Sequence, residues 1–280
     1  MNYRHAFHAG NFADLLKHVV LTRLLRDLTA DSGPLTVIDT HAGAGLYDLS
    51  DEIARRTGEG QAGVGRMMAS ADAPPSFDDL KGAVRRVNAP GEWRYYPGSP
   101  VLIAGALRPR DNYIACELHA DEHSSLQQVL PRELDAVIHR GDGWRHAAEV
   151  TPQTPARLLV LVDPPFERGD DYEQAVSLIA RVLGINPQAT VAIWLPIKDF
   201  ATFDAFLGEV EDQGGKNAVL AAEVRLRPLT DPMRLNGCAM VVVNPSPGLE
   251  ASAREAACWI ASAIGETGGA GRVTVHGGGV

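Results

Sequence analysis

The chain has 280 residues, of which 45% are hydrophobic and 22% charged, as in an ordinary globular protein. Its formal net charge of −9 argues against a surface coated for nucleic acid but does not exclude a local basic face. No apolar run approaches the ~20 residues that span a bilayer, and the N-terminus lacks the apolar core of a signal peptide. The three cysteines, Cys116, Cys238 and Cys258, have neither metal-ligand spacing nor a disulfide framework, which indicates a reducing cytoplasm.

The first part of the chain predicts a helix, a strand and then an insertion. An amphipathic helix is expected at 11–28, with Asn11 as its N-cap, and a short buried strand follows at 35–39. Residues from about 47 to 92 carry no strong strand signal and hold short helical patterns broken by glycine and proline. We expect this stretch to be a helical insertion subdomain of a single domain, 1–280.

After the insertion, strand and helix patterns alternate. The predicted strands lie at 112–117, 136–139, 158–162, 190–195, 221–228, 238–244 and 272–275, and the predicted helices lie at 99–107, from about 124, and at 172–183, 200–211 and 251–264. This alternation is typical of an α/β fold with a mostly parallel, twisted sheet. The last long strands add an antiparallel strand near the C-terminus. Ligands of such sheets bind at the carboxyl ends of the strands, so a site is expected there.

One strand end has a distinctive sequence. Asp163, Pro164, Pro165 and Phe166 directly follow the buried strand 158–162. Each proline has a fixed φ and no N–H, and a residue before a proline is held extended. The backbone is therefore stiff, and its carbonyl oxygens have no adjacent amide donor. A carboxylate, fixed carbonyl oxygens and a flat ring suit a planar substrate that carries an amino group.

Other strand ends carry residues suited to ligand binding. The first strand runs into DTHAGAG at 39–45, whose glycines let a ligand approach the backbone. Glu117 ends the next strand, where an acidic residue typically binds ribose hydroxyls, and Asp142 and Gly143 end the third. Each feature taken alone is more simply explained by a tight turn or a solvated strand end. Their order at successive strand ends of one sheet favours a binding site.

This order of strand ends resembles that of class I S-adenosylmethionine-dependent methyltransferases, and the tetrapeptide resembles the mark of their amino-methylating branch. More specifically, several blocks resemble the RlmJ family, which methylates the N6 amine of an adenine in bacterial 23S ribosomal RNA. These blocks lie at 3–11, 14–18, 39–45, 95–100, 117–119 and 141–143. The resemblance covers nearly the whole chain. One departure is Phe166, where the family carries tyrosine; the wider branch accepts phenylalanine.

The resemblance implies a Rossmann-like methyltransferase fold, S-adenosylmethionine as the cofactor, and roles for the matching residues. The implied cofactor-binding residues are Lys17, His18, His41, Gly43, Ser99, Glu117, Asp142, Gly143 and Asp163. The implied catalytic residues are Asp163, Pro164, Phe166, Tyr3, His5 and Lys17. Among these, Asp163 and Pro164 would hold the target amine and Phe166 would stack on the base. The N-terminal histidines lack the closed ligand set of a zinc site, so no metal is expected.

Other functions stay open on the sequence alone. A DNA adenine or protein glutamine methyltransferase would share the chemistry, although no separate DNA-reading domain is recognisable. The glycine fingerprint of a nicotinamide-dependent oxidoreductase requires a third glycine or alanine at the position where this chain has Asp48. An RNA-binding protein without activity would not need Asp163, Pro164 and Glu117.

The expected partner is 23S ribosomal RNA, and the expected substrate is not the fully assembled ribosome. A modest basic rim, to which Arg225, Arg227 and Arg234 contribute, would contact the RNA despite the acidic total. For most of these arginines singly, an ordinary solvated surface is the simpler interpretation. We expect a cytoplasmic monomer with no membrane association. The sequence does not identify the target adenine.

Overall fold

The computed structural model describes residues 8–131, 134–154, 157–230 and 235–277. Tyr3 and His5, which the resemblance places in the catalytic set, lie outside the described residues, as does Arg234. Within the described ranges, no helix is both long enough and apolar enough to cross a bilayer.

The strands and helices of the described residues alternate along most of the chain. The strands are β1 (Thr36–Asp39), β2 (Leu46–Asp48), β3 (Tyr95–Pro97), β4 (Asn112–Glu117), β5 (Ala136–Arg140), β6 (Leu158–Val162), β7 (Thr190–Pro196), β8 (Val219–Arg225), β9 (Gly237–Val243) and β10 (Ala270–His276). The helices are α1 (Phe12–Ala30), α2 (Glu52–Thr57), α3 (Arg66–Ala69), α4 (Asp78–Arg86), α5 (Ser99–Ala106), α6 (Ala120–Val129), α7 (Gly143–Val150), α8 (Asp171–Ile185), α9 (Phe200–Gly214) and α10 (Leu249–Ala263).

The central sheet has the strand order β10-β8-β9-β7-β6-β1-β4-β5. Strands β5, β4, β1, β6 and β7 pair in parallel, whereas β9 pairs antiparallel with both β7 and β8, and β10 antiparallel with β8. The predicted mostly parallel sheet with antiparallel pairing near the C-terminus is confirmed. The chain leaves β1 for β4 and β5 on one side and reaches β6 and β7 on the other. The carboxyl ends of these strands therefore meet at a topological switch point, where α/β sheets bind ligands.

Helix α1 is buried to a greater extent than its sequence predicts. Asn11 caps it as expected, its side-chain oxygen accepting from the backbone N–H groups of Ala13 and Asp14. The periodicity predicts one apolar face and one solvated face, yet every residue from Phe12 to Thr22 is buried. The helix packs against α10 and β9 as well as α5, and its charged residues Asp14 and Lys17 are buried. Buried charges require partners, and these lie in the site described below.

The insertion is helical, as predicted, but a two-stranded antiparallel sheet of β2 and β3 joins its ends. These strands have only three residues each, too few to show the alternation by which a strand is recognised in a sequence. Apolar side chains of the insertion, including Met67, Phe77 and Leu80, are 0% exposed and belong to the same core cluster as the leucines of α1. The insertion thus shares its core with the main sheet.

Candidate active site

A cavity of about 610 Å³ opens at the carboxyl edge of β1, β4, β5, β6 and β7, within the size range of small-molecule sites. It contains every sequence-predicted site residue that the structure describes. These are Lys17, His18, His41, Gly43, Ser99, Glu117, Asp142, Gly143, Asp163, Pro164 and Phe166. The structure therefore brings together residues that lie far apart in the chain.

Lys17 joins the first helix to the end of β6. Its Nζ lies 2.6 Å from Asp163 Oδ2 and 2.9 Å from Asp14 Oδ1. The exposed fractions of the three side chains are 5% for Lys17, 3% for Asp14 and 13% for Asp163. Asp14 is itself held by the backbone N–H of Gly10, which donates to its Oδ2 at 2.9 Å. The result is a buried cation between two carboxylates.

The two carboxylates keep Lys17 charged. Burial by itself would lower its pKa, but attraction to Asp14 and Asp163 and the hydrogen bonds to them outweigh burial and raise the pKa well above its ordinary value. The ammonium group also lies 6.0 Å from the ring centre of Trp194, a favourable distance for a cation beside an aromatic face. Lys17 therefore fixes one oxygen of Asp163. Among the described residues, Asp163 Oδ1 has no hydrogen-bond partner.

The loop after Asp163 is stiff, as the sequence predicts. Pro164 lines the cavity, and its carbonyl oxygen accepts no hydrogen bond from the part of the chain that the structure describes. Phe166 ends the tetrapeptide with φ +49°, a left-handed conformation that is uncommon for a bulky residue. Its carbonyl oxygen accepts from Lys198 Nζ at 3.0 Å, which holds the loop in that conformation. Backbone strain of this kind concentrates at functional sites.

The expected stacking of Phe166 on a base is not available in this conformation. Phe166 is 3% exposed, and its ring packs 4.7 Å from the Tyr172 ring and 6.2 Å from the Trp194 ring, centre to centre. The ring belongs to the core between the sheet and helices α8 and α9. The sequence shows the ring beside the carboxylate but not the left-handed turn that directs it inward. Phe166 thus anchors the loop whose other residues line the cavity.

Glu117 organises the glycine turn after β1. Its Oε2 accepts from the backbone N–H of Gly43 at 2.9 Å, and its Oε1 accepts from that of His119 at 2.7 Å. Gly43 has φ +66°, and a Cβ at this position would collide with the hydroxyl of Tyr47. Only glycine therefore allows this turn to pass beneath Tyr47. The remaining lone pairs of Glu117 are available to a ligand hydroxyl.

Asp142 and Gly143 form the start of α7. Asp142 caps the helix, its Oδ1 accepting from the N–H groups of Trp144 and Arg145. A Cβ on Gly143 would collide with the carbonyl oxygen of Thr40, so this glycine lets α7 approach the end of β1. The sequence Asp142-Gly143 taken alone predicts a simple turn, but here it forms the N-terminus of α7, which closes one side of the cavity.

His41 and Ser99 are held by buried partners. Desolvation lowers the pKa of His41 to about 4, although the negative charges of Asp163 and Asp142 act to raise it. The imidazole is therefore neutral at neutral pH. Its Nδ1 lies 2.8 Å from Thr40 Oγ1. Ser99 Oγ donates to Asp39 Oδ2 at 2.8 Å.

His18 is held by β3, the strand that follows the insertion. Its Nδ1 lies 2.7 Å from the hydroxyl of Tyr96, a residue of β3 that is 0% exposed, and the two rings stack with centres 5.4 Å apart. Strand β3, which the sequence does not predict, therefore supplies a hydrogen-bond partner to His18, which the sequence analysis does assign to the site.

The cavity is also lined by residues to which the sequence analysis assigned no role, among them Asp14, Tyr47, Trp144 and Trp194. Asp14 lies three residues before Lys17 on the same helix. The i,i+3 spacing could therefore have predicted this ion pair if the helix had been expected to be buried. Trp144 follows Gly143 and meets His41 edge to face at 4.9 Å. Tyr47 and Trp194 carried no signal, since aromatic residues near strand ends usually belong to the core.

The strand order, the glycine turn after β1, the acidic ends of β4 and β5 and the Asp-Pro-Pro loop after β6 together define a class I methyltransferase. Comparison with protein families agrees: the model described as "Ribosomal RNA large subunit methyltransferase D, RlmJ" matches residues 32–276. The chain belongs to the RlmJ family.

Individual relatives cover nearly the whole chain. Ribosomal RNA large subunit methyltransferase J of Escherichia coli is 33% identical over 94% of both chains, and that of Haemophilus influenzae is 33% identical over 91% of both. Among solved structures, a protein of Legionella pneumophila superimposes with a TM-score of 0.87 at 27% identity, covering 97% of this chain and 98% of its own. The resemblance stated from the sequence motifs is confirmed.

Proposed function

We propose that this protein transfers a methyl group from S-adenosylmethionine to the exocyclic N6 amine of an adenine in 23S ribosomal RNA. The observation that carries the proposal is the Asp163 carboxylate, held at one oxygen by buried Lys17 and open at the other, directly before two prolines. The RlmJ relatives support RNA as the substrate, and the family assignment removes the oxidoreductase alternative.

The cavity residues fit S-adenosylmethionine. Glu117 would bind the ribose hydroxyls, because its carboxylate already faces the glycine turn and keeps lone pairs free. Asp142 would bind the adenine end with the carboxylate oxygen that does not cap α7. When bound, the cofactor supplies an electrophilic methyl group on a sulfonium centre. Lys17, His18, His41, Gly43, Ser99 and Gly143 complete the proposed pocket.

The chain activates the target amine by accepting its hydrogen bonds. The lone pair of an adenine N6 is conjugated with the ring, so the amine is a weak nucleophile. Asp163 Oδ1 and the Pro164 carbonyl oxygen would accept one N–H each and draw the nitrogen toward tetrahedral geometry, which frees the lone pair. This is catalysis by positioning, with electrostatic stabilisation of the charge that develops on nitrogen. The proton on the methylated nitrogen is acidic, so Asp163 does not have to be a strong base.

Tyr3 and His5 are proposed to lie at the mouth of the site, where the resemblance places them together with Lys17. The structure instead buries Lys17 against Asp163, inside the site. An adenine must be unpaired or flipped out to enter the cavity. The substrate is proposed to be naked or assembling ribosomal RNA, not the finished ribosome. The protein is proposed to act as a cytoplasmic monomer, away from membranes, and residues 1–280 as one domain with an insertion at about 47–92.

The test is methyl transfer from radiolabelled S-adenosylmethionine to protein-free 23S ribosomal RNA that lacks its native modifications, followed by nucleoside analysis. We expect N6-methyladenosine that disappears with Asp163→Ala. Incorporation into another nucleoside, or none despite binding of S-adenosylhomocysteine, would overturn the assigned substrate. Transfer to DNA or to a glutamine amide would instead favour the related amino-methyltransferases.

Glu117→Ala is expected to raise the Kd of S-adenosylhomocysteine by about 10- to 100-fold. Hydrogen bonds to a charged group contribute about 1.5–3 kcal/mol, and each 1.4 kcal/mol is tenfold in affinity. The change also leaves the N–H groups of Gly43 and His119 without their acceptor, which loosens the turn. Isothermal titration measures the Kd, with Glu149→Ala on α7 as the control. An unchanged Kd would remove Glu117 from the cofactor site.

A further inference from the structure

An exposed ring and two cations lie beside the mouth of the cavity. Phe200, the first residue of α9, is 46% exposed. The guanidinium carbon of Arg225 lies 5.0 Å from the centre of its ring. Lys198, two residues before Phe200, lines the cavity and donates to the carbonyl oxygen of Phe166. These three residues, the Phe200 patch, are therefore continuous with the site.

Sheet register places the patch at the same edge as the candidate active site. Arg225 ends β8, where it pairs with Gly237 at the start of β9. The carbonyl oxygen of Gly237 also accepts from the N–H of Ile197, directly after β7, at 2.9 Å. Ile197 lines the cavity. The patch therefore lies beside the carboxyl ends of β6 and β7, on the side of Asp163, and away from the acidic ends of β4 and β5.

The cations of the patch are not neutralised by contact. Among the described residues, neither Lys198 nor Arg225 has a carboxylate within ion-pair distance, whereas nearby Arg168 and Arg227 are paired with Asp170 and Glu266. Glu223, two residues before Arg225 on β8, is buried and attracts it only at longer range. The Arg225 Nε has no hydrogen-bond partner in the described structure.

We propose that the Phe200 patch docks the unpaired RNA segment that flanks the target adenine, an inference that rests on the proposed function. A neighbouring base would stack on the exposed ring of Phe200, and Arg225 and Lys198 would contact phosphates. Proteins bind single strands in this way, with aromatic platforms beside a positively charged path. On a chain of net charge −9, two cations without an ion-pair partner among the described residues, beside an exposed ring, are complementary to a polyanion with flat bases.

Variants of Phe200 and Arg225 test the patch with protein-free 23S ribosomal RNA as the probe. Phe200→Ala is expected to raise the RNA Kd by about 5- to 100-fold, the effect of losing one base–aromatic stack. Arg225→Ala is expected to weaken binding and to reduce the slope of log K against log salt by about 0.7, the share of one phosphate contact on a single strand. The Kd of S-adenosylhomocysteine and the rate at saturating RNA should not change.

Matched controls come from the opposite edge of the sheet. Ile185, at the end of α8 before β7, is 48% exposed, and Lys216 is an exposed cation between α9 and β8. Ile185→Ala and Lys216→Ala should leave RNA affinity unchanged. Phe200→Leu keeps an apolar side chain, so any loss of RNA affinity it shares with Phe200→Ala reports stacking and not folding.

The outcomes separate the two proposals. If the wild type methylates the RNA and the patch variants bind it like the controls, the patch is overturned and the proposed function stands. If the wild type binds S-adenosylhomocysteine but neither binds nor methylates the RNA, the proposed function fails and the RNA patch fails with it. Selective loss of RNA affinity in both Phe200→Ala and Arg225→Ala supports the patch.

Discussion

Asp163→Asn is expected to slow methyl transfer by about 10²- to 10³-fold or more, the usual cost of removing one preorganised electrostatic group from an active site. The geometry makes asparagine a poor substitute. The ammonium group of Lys17 lies 2.6 Å from Oδ2 and must face an acceptor, so the amide oxygen would turn toward it. The amide NH₂ would then occupy the position of Oδ1. A donor would face the N–H of the target amine, where the mechanism needs an acceptor.

Single-turnover methyl transfer at saturating S-adenosylmethionine and RNA measures this effect. Cofactor affinity should change little, because Lys17 keeps Asp14 as a partner. Asp170→Asn is the matched control, since Asp170 is a carboxylate of the following loop that pairs with exposed Arg168. A rate for Asp163→Asn within a few-fold of the control would exclude Asp163 from the mechanism.

Lys17→Met is expected to abolish activity and to lower the free energy of unfolding by about 3–5 kcal/mol at neutral pH. Removing one partner of a buried ion pair leaves an uncompensated charge, and that penalty sets the magnitude. Here two carboxylates, Asp14 and Asp163, lose the same cation. Their mutual repulsion adds to the cost of burial.

The loss should depend on pH. Although burial alone would lower it, Asp14 and Asp163 raise the pKa of Lys17 in the folded wild type well above its ordinary value. The folded wild type therefore holds the lysine proton more tightly than the unfolded chain does, so this stabilisation is fully present below the ordinary lysine pKa of about 10.4 and is lost as pH rises above it. The difference in free energy of unfolding between the wild type and Lys17→Met should therefore shrink at alkaline pH.

Urea unfolding of the wild type and of Lys17→Met between about pH 7 and about pH 11 tests this expectation. Asp14→Asn added to Lys17→Met should restore part of the stability but none of the activity. Lys216→Met, which removes an exposed lysine, controls for a change of net charge. Equal stability of Lys17→Met and Lys216→Met at neutral pH would show that the buried carboxylates do not depend on Lys17.

The fold and the outline of the site could be predicted from the sequence because both depend on local sequence patterns. Buried strands such as β1 and β6 are continuous apolar runs, and parallel sheets place their ligand sites at strand ends. Glu117, Asp142 and Asp163 could therefore be assigned to one edge of the sheet from the strand pattern alone. The RlmJ blocks added Lys17, His18 and Ser99, which no periodicity would single out.

The features that could not be predicted from the sequence depend on tertiary packing. The burial of Lys17 beside Asp14 depends on Asp163, which lies 146 positions further along the chain. The inward turn of Phe166 depends on a φ value that its type disfavours and on Lys198 from the next loop. Strands β2 and β3 are too short to be recognised alone. In each case the decisive partner is distant in the chain.

The ion pair between Lys17 and Asp163 joins residues 146 positions apart. Chains dominated by such distant contacts fold slowly, because loop closure must precede the contact. During synthesis α1 emerges well before β6 and Asp163, which follows β6 and pairs with Lys17. Its lysine and aspartate must stay hydrated until then, since burial without Asp163 would be unfavourable. The pair of Lys17 and Asp163 thus forms only once β6 has joined the sheet, and a chain that stops before β6 has no Asp163 with which to complete the proposed site.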